Sequence, residues 1–172
     1  SAASDVYKRQ GYESLIVGCY SNLKNIYNTT TYQIFTQQGT DVFTQNYPTE
    51  VAAMNQYTTT YQSNNGTIYA MWSSYFNALN NVNAAIDRSK SVILKTDDPD
   101  GIEPSALTQL VAEAKALRAW YLFEIVRNWG QGPLKINESK EPSYTVEYSN
   151  GAAFYQQIFT DLEEAISVLP WR

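Results

Sequence analysis

Asp97, Asp98, Asp100 and Gly101 stand close to the spacing of a calcium loop, in which alternate carboxylates and a turn-forming glycine surround a hard cation. The pattern fails at both ends, because Thr96 occupies the first ligand position and Leu107 stands where the closing bidentate Glu belongs. It reads instead as an acidic turn leading into a helix, with Glu103 and Pro104 suited to the first turn and its dipole. A second acidic group, Asp161, Glu163 and Glu164, raises the question of paired-carboxylate chemistry. These acids are expected on the outer, solvated side of the last helix, which argues against an enzyme. The chain has no His and one Cys, so neither a Cys/His zinc site nor a Ser-His-Asp or Cys-His centre can be assembled from it. Cys19 lies on an apolar stripe and reads as a small buried hydrophobe. No residue pattern calls for a metal or a cofactor.

The remaining candidates are neutral. The sequence holds 14 Asn, 11 Gln and 14 Tyr, while only 17% of its residues are charged. Between residues 28 and 67 the only charges are Asp41 and Glu50, amid Thr, Gln, Asn and Tyr. An irregular stretch of this length is uncommon in a compact domain. Ile34, Phe35, Phe43, Tyr47, Tyr57 and Tyr61 supply too many large apolar bodies for a solvated tract. A net charge of -5 and a pI near 4.7 argue against a nucleic-acid surface, which needs clustered Lys and Arg. Apolar stretches fall far below the ~18 residues of a transmembrane helix.

The elements that must position these groups are mostly helices. Leu15, Ile16, Cys19, Leu23 and Ile26 recur at helical spacing over 12–27. A short helix is expected at 49–57, after Pro48. A long one at 67–89 carries Trp72, Phe76, Leu79, Val82 and Ile86, with Asn77, Asn80, Asn81 and Asn83 on its flank. Asn is a poor helix former, so tertiary contacts must hold these four in place. The strongest pattern covers 105–128, ended by Gly130 and Pro133. Residues 133–148 form an excursion in which Leu134, Ile136 and Val146 are expected to pair briefly as strands. Asn150 caps a last helix through Leu169, with Phe154, Ile158, Leu162, Ala165, Ile166 and Leu169 inward. Trp72, Trp120 and Trp129 are expected to pack in the core. The fold class is mainly α, with consecutive amphipathic helices returning on each other as in an α-solenoid or array of helical hairpins.

Three of these segments carry a specific resemblance. Residues 110–134 read LVAEAKALRAWYLFEIVRNWGQGPL, residues 72–87 read WSSYFNALNNVNAAID, and residues 155–170 read YQQIFTDLEEAISVLP. In order and spacing they resemble the signature helices of the SusD/RagB family, with Trp72, Asn83, Glu113, Arg118, Tyr121, Glu124, Gly130 and Pro133 at motif positions. The resemblance implies tetratricopeptide-like hairpins supporting loop-rich glycan-binding regions in a cell-surface lipoprotein of the Bacteroidetes outer membrane. It implies a non-catalytic protein that binds oligosaccharide or another nutrient and delivers it to a SusC-like TonB-dependent transporter. The alternative is a helical docking scaffold for that transporter, with the ligand site elsewhere. Membrane association would come from a lipid anchor. Arg118, Glu124 and Asn83 would be structural, fixing the helices through buried hydrogen bonds.

A glycan site needs aromatic faces for sugar rings and amides or carboxylates for hydroxyls. By that implication the candidate ligand-binding residues are Asp41, Phe43, Asn46, Tyr47, Tyr57, Tyr61, Asn64 and Asn65. Family members are much longer, so residues 11–172 are expected to be the N-terminal portion of one SusD-like domain. Residues 1–10 look like a translated sequencing adapter rather than natural sequence.

Overall fold

A computed structural model describes residues 8–41, 54, 65–141 and 146–170. Five α-helices lie within them: α1 (Arg9–Tyr27), α2 (Thr30–Gln37), α3 (Gly66–Arg88), α4 (Pro104–Trp129) and α5 (Gly151–Ile166), with a 3-10 turn at Ser89–Ser91. Among the described residues no strand forms. The expected pairing of Leu134, Ile136 and Val146 gives way to a single antiparallel bridge between Gly132 and Ser149. The backbone of residues 135–139 is bonded to side chains of α3 instead, as described below.

The ends of the helices follow local chemistry. Pro104 opens α4, where its missing N–H is no loss, and Gly130 closes it in the left-handed conformation at φ 74°. The Asn150 side chain accepts from the Ala153 N–H at 3.0 Å and caps α5. Helix α2 lies inside the tract expected to be irregular. The Thr29 hydroxyl accepts from the Tyr32 N–H at 3.1 Å to start it, and no residue of α2 is fully buried. Its apolar residues Tyr32, Ile34 and Phe35 are only half-buried, and eight residues are too short a run to leave a periodic signal. Of the helix expected at 49–57, only Met54 lies within the described residues, and it is buried.

The chain divides into two compact units, Ser1–Ser21 with Asn77–Arg172, and Asn22–Phe76. In the smaller unit Ile26, Met54, Met71 and Tyr75 are buried, and Tyr27 meets Tyr32 edge to face at 4.6 Å. Trp72 is half-buried against Phe76, with ring centroids 4.5 Å apart.

The larger unit holds the main core, built from Tyr12, Ile16 and Cys19 of α1, Leu79, Val82 and Ala85 of α3, Leu117, Tyr121, Leu122 and Ile125 of α4, and Phe154 and Ile158 of α5. Each fully buried Leu, Ile or Phe contributes about 1.5–3 kcal/mol through removal of apolar surface from water. The buried phenols find acceptors, Tyr12 on the Ala85 carbonyl at 2.8 Å and Tyr121 on the Cys19 carbonyl at 3.4 Å. Helices α4 and α5 pack as an antiparallel hairpin, because Lys115 pairs with Glu164 while Arg118 pairs with Asp161. The acidic turn is closed by the Lys95 N–H on the Ile102 carbonyl at 2.8 Å and the Ile102 N–H on the Ile93 carbonyl at 2.9 Å.

The inward face of α5 differs from the apolar pattern. Phe154, Ile158, Asp161 and Ala165 are buried, whereas Leu162 and Ile166 are 37% and 53% exposed. Asp161 is therefore not on a solvated face. Its attraction to Arg118 selects a stripe one position away from the one an apolar count favours.

Candidate functional site

Two of the four Asn of α3, Asn80 and Asn83, mark where polar chemistry concentrates in the larger unit. Asn80 brackets Ser139, donating to its carbonyl at 3.2 Å and accepting from its N–H at 2.7 Å. One turn on, Asn83 donates to the carbonyls of Lys135 at 3.1 Å and Asn137 at 3.3 Å. Asp87 accepts from the Glu138 N–H at 2.8 Å and from the Asn137 amide at 3.3 Å. Arg88 then grips the Glu138 carboxylate through Nε, at 3.2 Å, and Nη2. The guanidinium holds the Glu138 carboxyl below the usual carboxylate range. Residues 80, 83 and 87 share one helix face, so α3 presents a polar row that fixes an extended segment with no ladder of its own.

Arg118 joins this row to the α4–α5 hairpin. Its Nη1 donates to the Ile136 carbonyl at 2.9 Å and reaches Asn83 Oδ1 at 3.4 Å, while Nε and Nη2 each donate to the Asp161 carboxylate at 2.7 Å. Gln157 adds a bond to Asp161 at 3.1 Å. Asn83, Arg118 and Asp161 are all buried. A bidentate, charge-assisted pair of this kind is costly to desolvate and holds only with its remaining donors and acceptors satisfied. Here those extra contacts are one backbone carbonyl and two side-chain amides, so the cluster positions the chain and offers no reactive group to solvent.

The other motif residues have equally defined surroundings. Glu124 is buried and accepts from Arg127 Nη2 at 2.9 Å. Glu113 accepts from the Tyr20 hydroxyl at 2.9 Å, and partial burial together with this carboxylate pushes the phenol up to about 12. Pro133 is buried beside the Gly132–Ser149 bridge. Trp129 is half-buried. Trp120, expected in the core, is 43% exposed, since the inward positions on either side of it are taken by Ala119 and Tyr121.

Of the candidate ligand-binding residues, Phe43, Asn46, Tyr47, Tyr57, Tyr61 and Asn64 lie outside the described residues. Asp41 is exposed at the edge of the described stretch. Asn65 is buried, and its side-chain oxygen accepts from the Thr67 N–H at 3.0 Å and the Ile68 N–H at 3.4 Å. That bonding makes it the cap of α3, which takes its carbonyl oxygen out of a solvent-facing set. An open cleft of about 810 Å³ lies elsewhere, between the start of α1 and the acidic turn. Its described lining includes no aromatic residue, and its charges pair among themselves or nearby: Lys8 with Asp100, Arg9 with Glu13, Lys95 with Glu103. Among the described residues no group of His, Cys, Asp or Glu is arranged to hold a metal. No described helix is long and apolar enough to cross a membrane.

These features define a helical protein whose charged groups brace its framework. A family model of the SusD-like group, described as starch-binding and associating with the outer membrane, matches residues 4–172, and the chain belongs to that family. Solved structures share the fold. A SusD superfamily protein from Bacteroides vulgatus is 22% identical with a TM-score of 0.76, over 94% of this chain and 34% of its own. A SusD homolog from Bacteroides thetaiotaomicron is 20% identical at 0.74, over 95% and 31%. A laminarin-binding SusD-like protein is 21% identical at 0.72, over 95% and 34%. The chain thus spans about a third of the length of these relatives. No curated protein matches it by sequence.

Proposed function

We propose that this chain belongs to a non-catalytic protein of the bacterial cell surface that binds an oligosaccharide and passes it to a SusC-like TonB-dependent transporter. The observation that carries the reading is the match of nearly the whole chain to a starch-binding, outer-membrane-associated family. A structural relative named for laminarin binding supports a glucan as ligand. The described polar groups favour binding over bond cleavage. Asp161, Glu124 and Glu138 are each tied to an arginine, and the chain has no His to serve as a base.

In this reading sugar rings stack on Phe43, Tyr47, Tyr57 and Tyr61, while Asp41, Asn46 and Asn64 satisfy hydroxyls. Those residue types suit a neutral ligand, since an aromatic face takes the apolar side of a pyranose and planar amides pair with its rim. Attachment to the outer membrane is through a lipid anchor. Calorimetry on the complete gene product with laminari- and malto-oligosaccharides tests the proposal. Tyr47→Ala or Tyr57→Ala is expected to weaken binding about tenfold, the equivalent of about 1.4 kcal/mol. Unchanged affinity across the aromatic variants would remove residues 41–64 from the site, and absence of binding to every glycan would remove the ligand class.

A further inference from the structure

We propose that α2 and its cap residue Gln38 form a segment that opens locally, bounded by Thr29 and Gly39, and that its closed form is held at the cost of an unpaired amide. Opening turns Gln38 out to water near Asp41. The proposal concerns the chain without ligand and stands whichever molecule the protein binds.

In the larger unit the buried polar side chains Asn83, Arg118 and Asp161 bond to one another or to backbone carbonyls. In the smaller unit, Asn22–Phe76, two amides do not. Gln38 is 8% exposed, yet neither its Nε2 nor its Oε1 meets a partner, and Nδ2 of Asn22 is likewise unmatched. Among the described residues these are the only buried side-chain nitrogens and oxygens in that condition. A primary amide offers two donors and an acceptor, and burying them unpaired forfeits the bonds that water would give. Native chains retain such a group rarely, and storing strain is one of the reasons.

Helix α2 has little to set against that cost. Its eight residues fall below the ~12–15 at which an isolated helix holds in water, so it depends on packing. It buries no residue fully, and it has neither an acid in its first turn nor a base in its last to match the helix dipole. The buried residue at its end is Gln38 itself. The hydrogen bonds that shape the helix are local. The Thr29 hydroxyl accepts from the Tyr32 N–H, the Thr36 hydroxyl donates to the Tyr32 carbonyl at 2.9 Å, and the Gln38 N–H donates to the Ile34 carbonyl at 3.1 Å. Gly39 follows at φ 78°, where the lack of a Cβ lets the backbone change conformation at little steric cost. A segment with few buried apolar groups and local bonds opens at a lower free energy than the whole fold.

Native-state amide exchange on this chain, read residue by residue by NMR, tests the proposal. The N–H groups of Gln33 to Gln38 should exchange through an opening that low urea leaves unchanged, and well before those of Val82 and Leu122 in the main core. Gln38→Met nearly keeps the side chain's shape and removes the unpaired amide. It should slow exchange at residues 33–37 about tenfold and raise the Tm by a few degrees. Gln37→Met, at the exposed neighbouring position, should change those rates less than about twofold. Faster exchange and a lower Tm in Gln38→Met would mean that the amide is bonded in the folded chain, through an internal water for example, and overturns the proposal. Unchanged rates in that variant, or exchange of residues 33–38 only together with the main core, overturn it as well.

Discussion

Arg118 on α4 and Asp161 on α5 face each other through two parallel hydrogen bonds of 2.7 Å, with both side chains buried. The fork of the guanidinium fits the carboxylate, and its third nitrogen spans to Asn83 and the Ile136 carbonyl. One side chain thus ties α3, α4, α5 and the segment after α4 into a single polar cluster.

Removing either partner should be severe. Asp161→Ala leaves a buried guanidinium and Arg118→Ala a buried carboxylate, each expected to lose about 3–5 kcal/mol in urea unfolding. The paired variant Arg118→Met with Asp161→Leu should recover much of that loss, because both charges leave together. Recovery should stop short of wild type, since Asn83 and the Ile136 carbonyl lose their donor. A double variant no better than the singles would show that the pair is not the main bond in the cluster.

Asn83 holds the extended segment rather than the helix it sits on. Asn83→Ala frees the Lys135 and Asn137 carbonyls and is expected to cost about 1–3 kcal/mol. Amide exchange should rise at residues 135–139 more than within α3. Asn80→Ala, at an exposed bond pair, should cost less than about 1 kcal/mol. Uniform acceleration of exchange through α3 would argue that Asn83 supports the helix instead.

The same contacts explain what could be seen in the sequence and what could not. Pro104, Gly130 and Asn150 announce helix ends through their own backbone and side-chain chemistry, so these boundaries were legible to within a residue or two. The stripes of α1, α3 and α4 were legible because burial repeats every turn. Helix α2 was not, since it buries no full side chain and depends on the Thr29 cap. Asp161 was misplaced because a carboxylate among helix residues looks solvated until its partner, 43 positions away, is known. Of the four Asn in α3, Asn80 and Asn83 are accounted for by the segment at 135–139, 52 to 59 positions further on. Of the candidate ligand-binding set, Asn65 is accounted for by its cap, a role that Asn-Gly-Thr before a helix is well suited to play.

Three glycines should respond in opposite directions to Ala. At Gly101 an added Cβ would press into the backbone carbonyl of Leu94, which cannot move without opening the bonds that close the turn. Gly101→Ala is expected to cost about 1–3 kcal/mol. Gly130→Ala has space but must hold φ 74°, at about 1–2 kcal/mol. Gly18 lies within α1 with nothing near its missing Cβ, so Gly18→Ala should stabilise by about 0.5–1 kcal/mol. Thermal melts of the three variants check the order; a destabilising Gly18→Ala would mean that α1 meets a neighbour at that point.

Alkaline unfolding should be led by Cys19. Burial pushes its thiol from 9.0 up to about 11, and burial first, then the nearby Cys19, pushes the Tyr12 phenol from 10.0 up to about 12. The unfolded chain therefore gives up these protons before the folded one does, and stability falls as pH rises across that gap. The thiol's share is intact below pH 9 and lost progressively between 9 and about 11; the phenol's share is lost between 10 and about 12. A two-unit shift corresponds to about 2–3 kcal/mol at most for each group. Cys19→Ala leaves a small cavity, costing about 1 kcal/mol at neutral pH, but removes the ionisable group. Its urea midpoint should consequently fall less steeply than wild type from pH 9 to 10, with the two curves becoming parallel above about 11, where the raised phenols of Tyr12 and Tyr20 govern both. Identical slopes across the whole range would show that the thiol ionises in the fold as it does in the open chain.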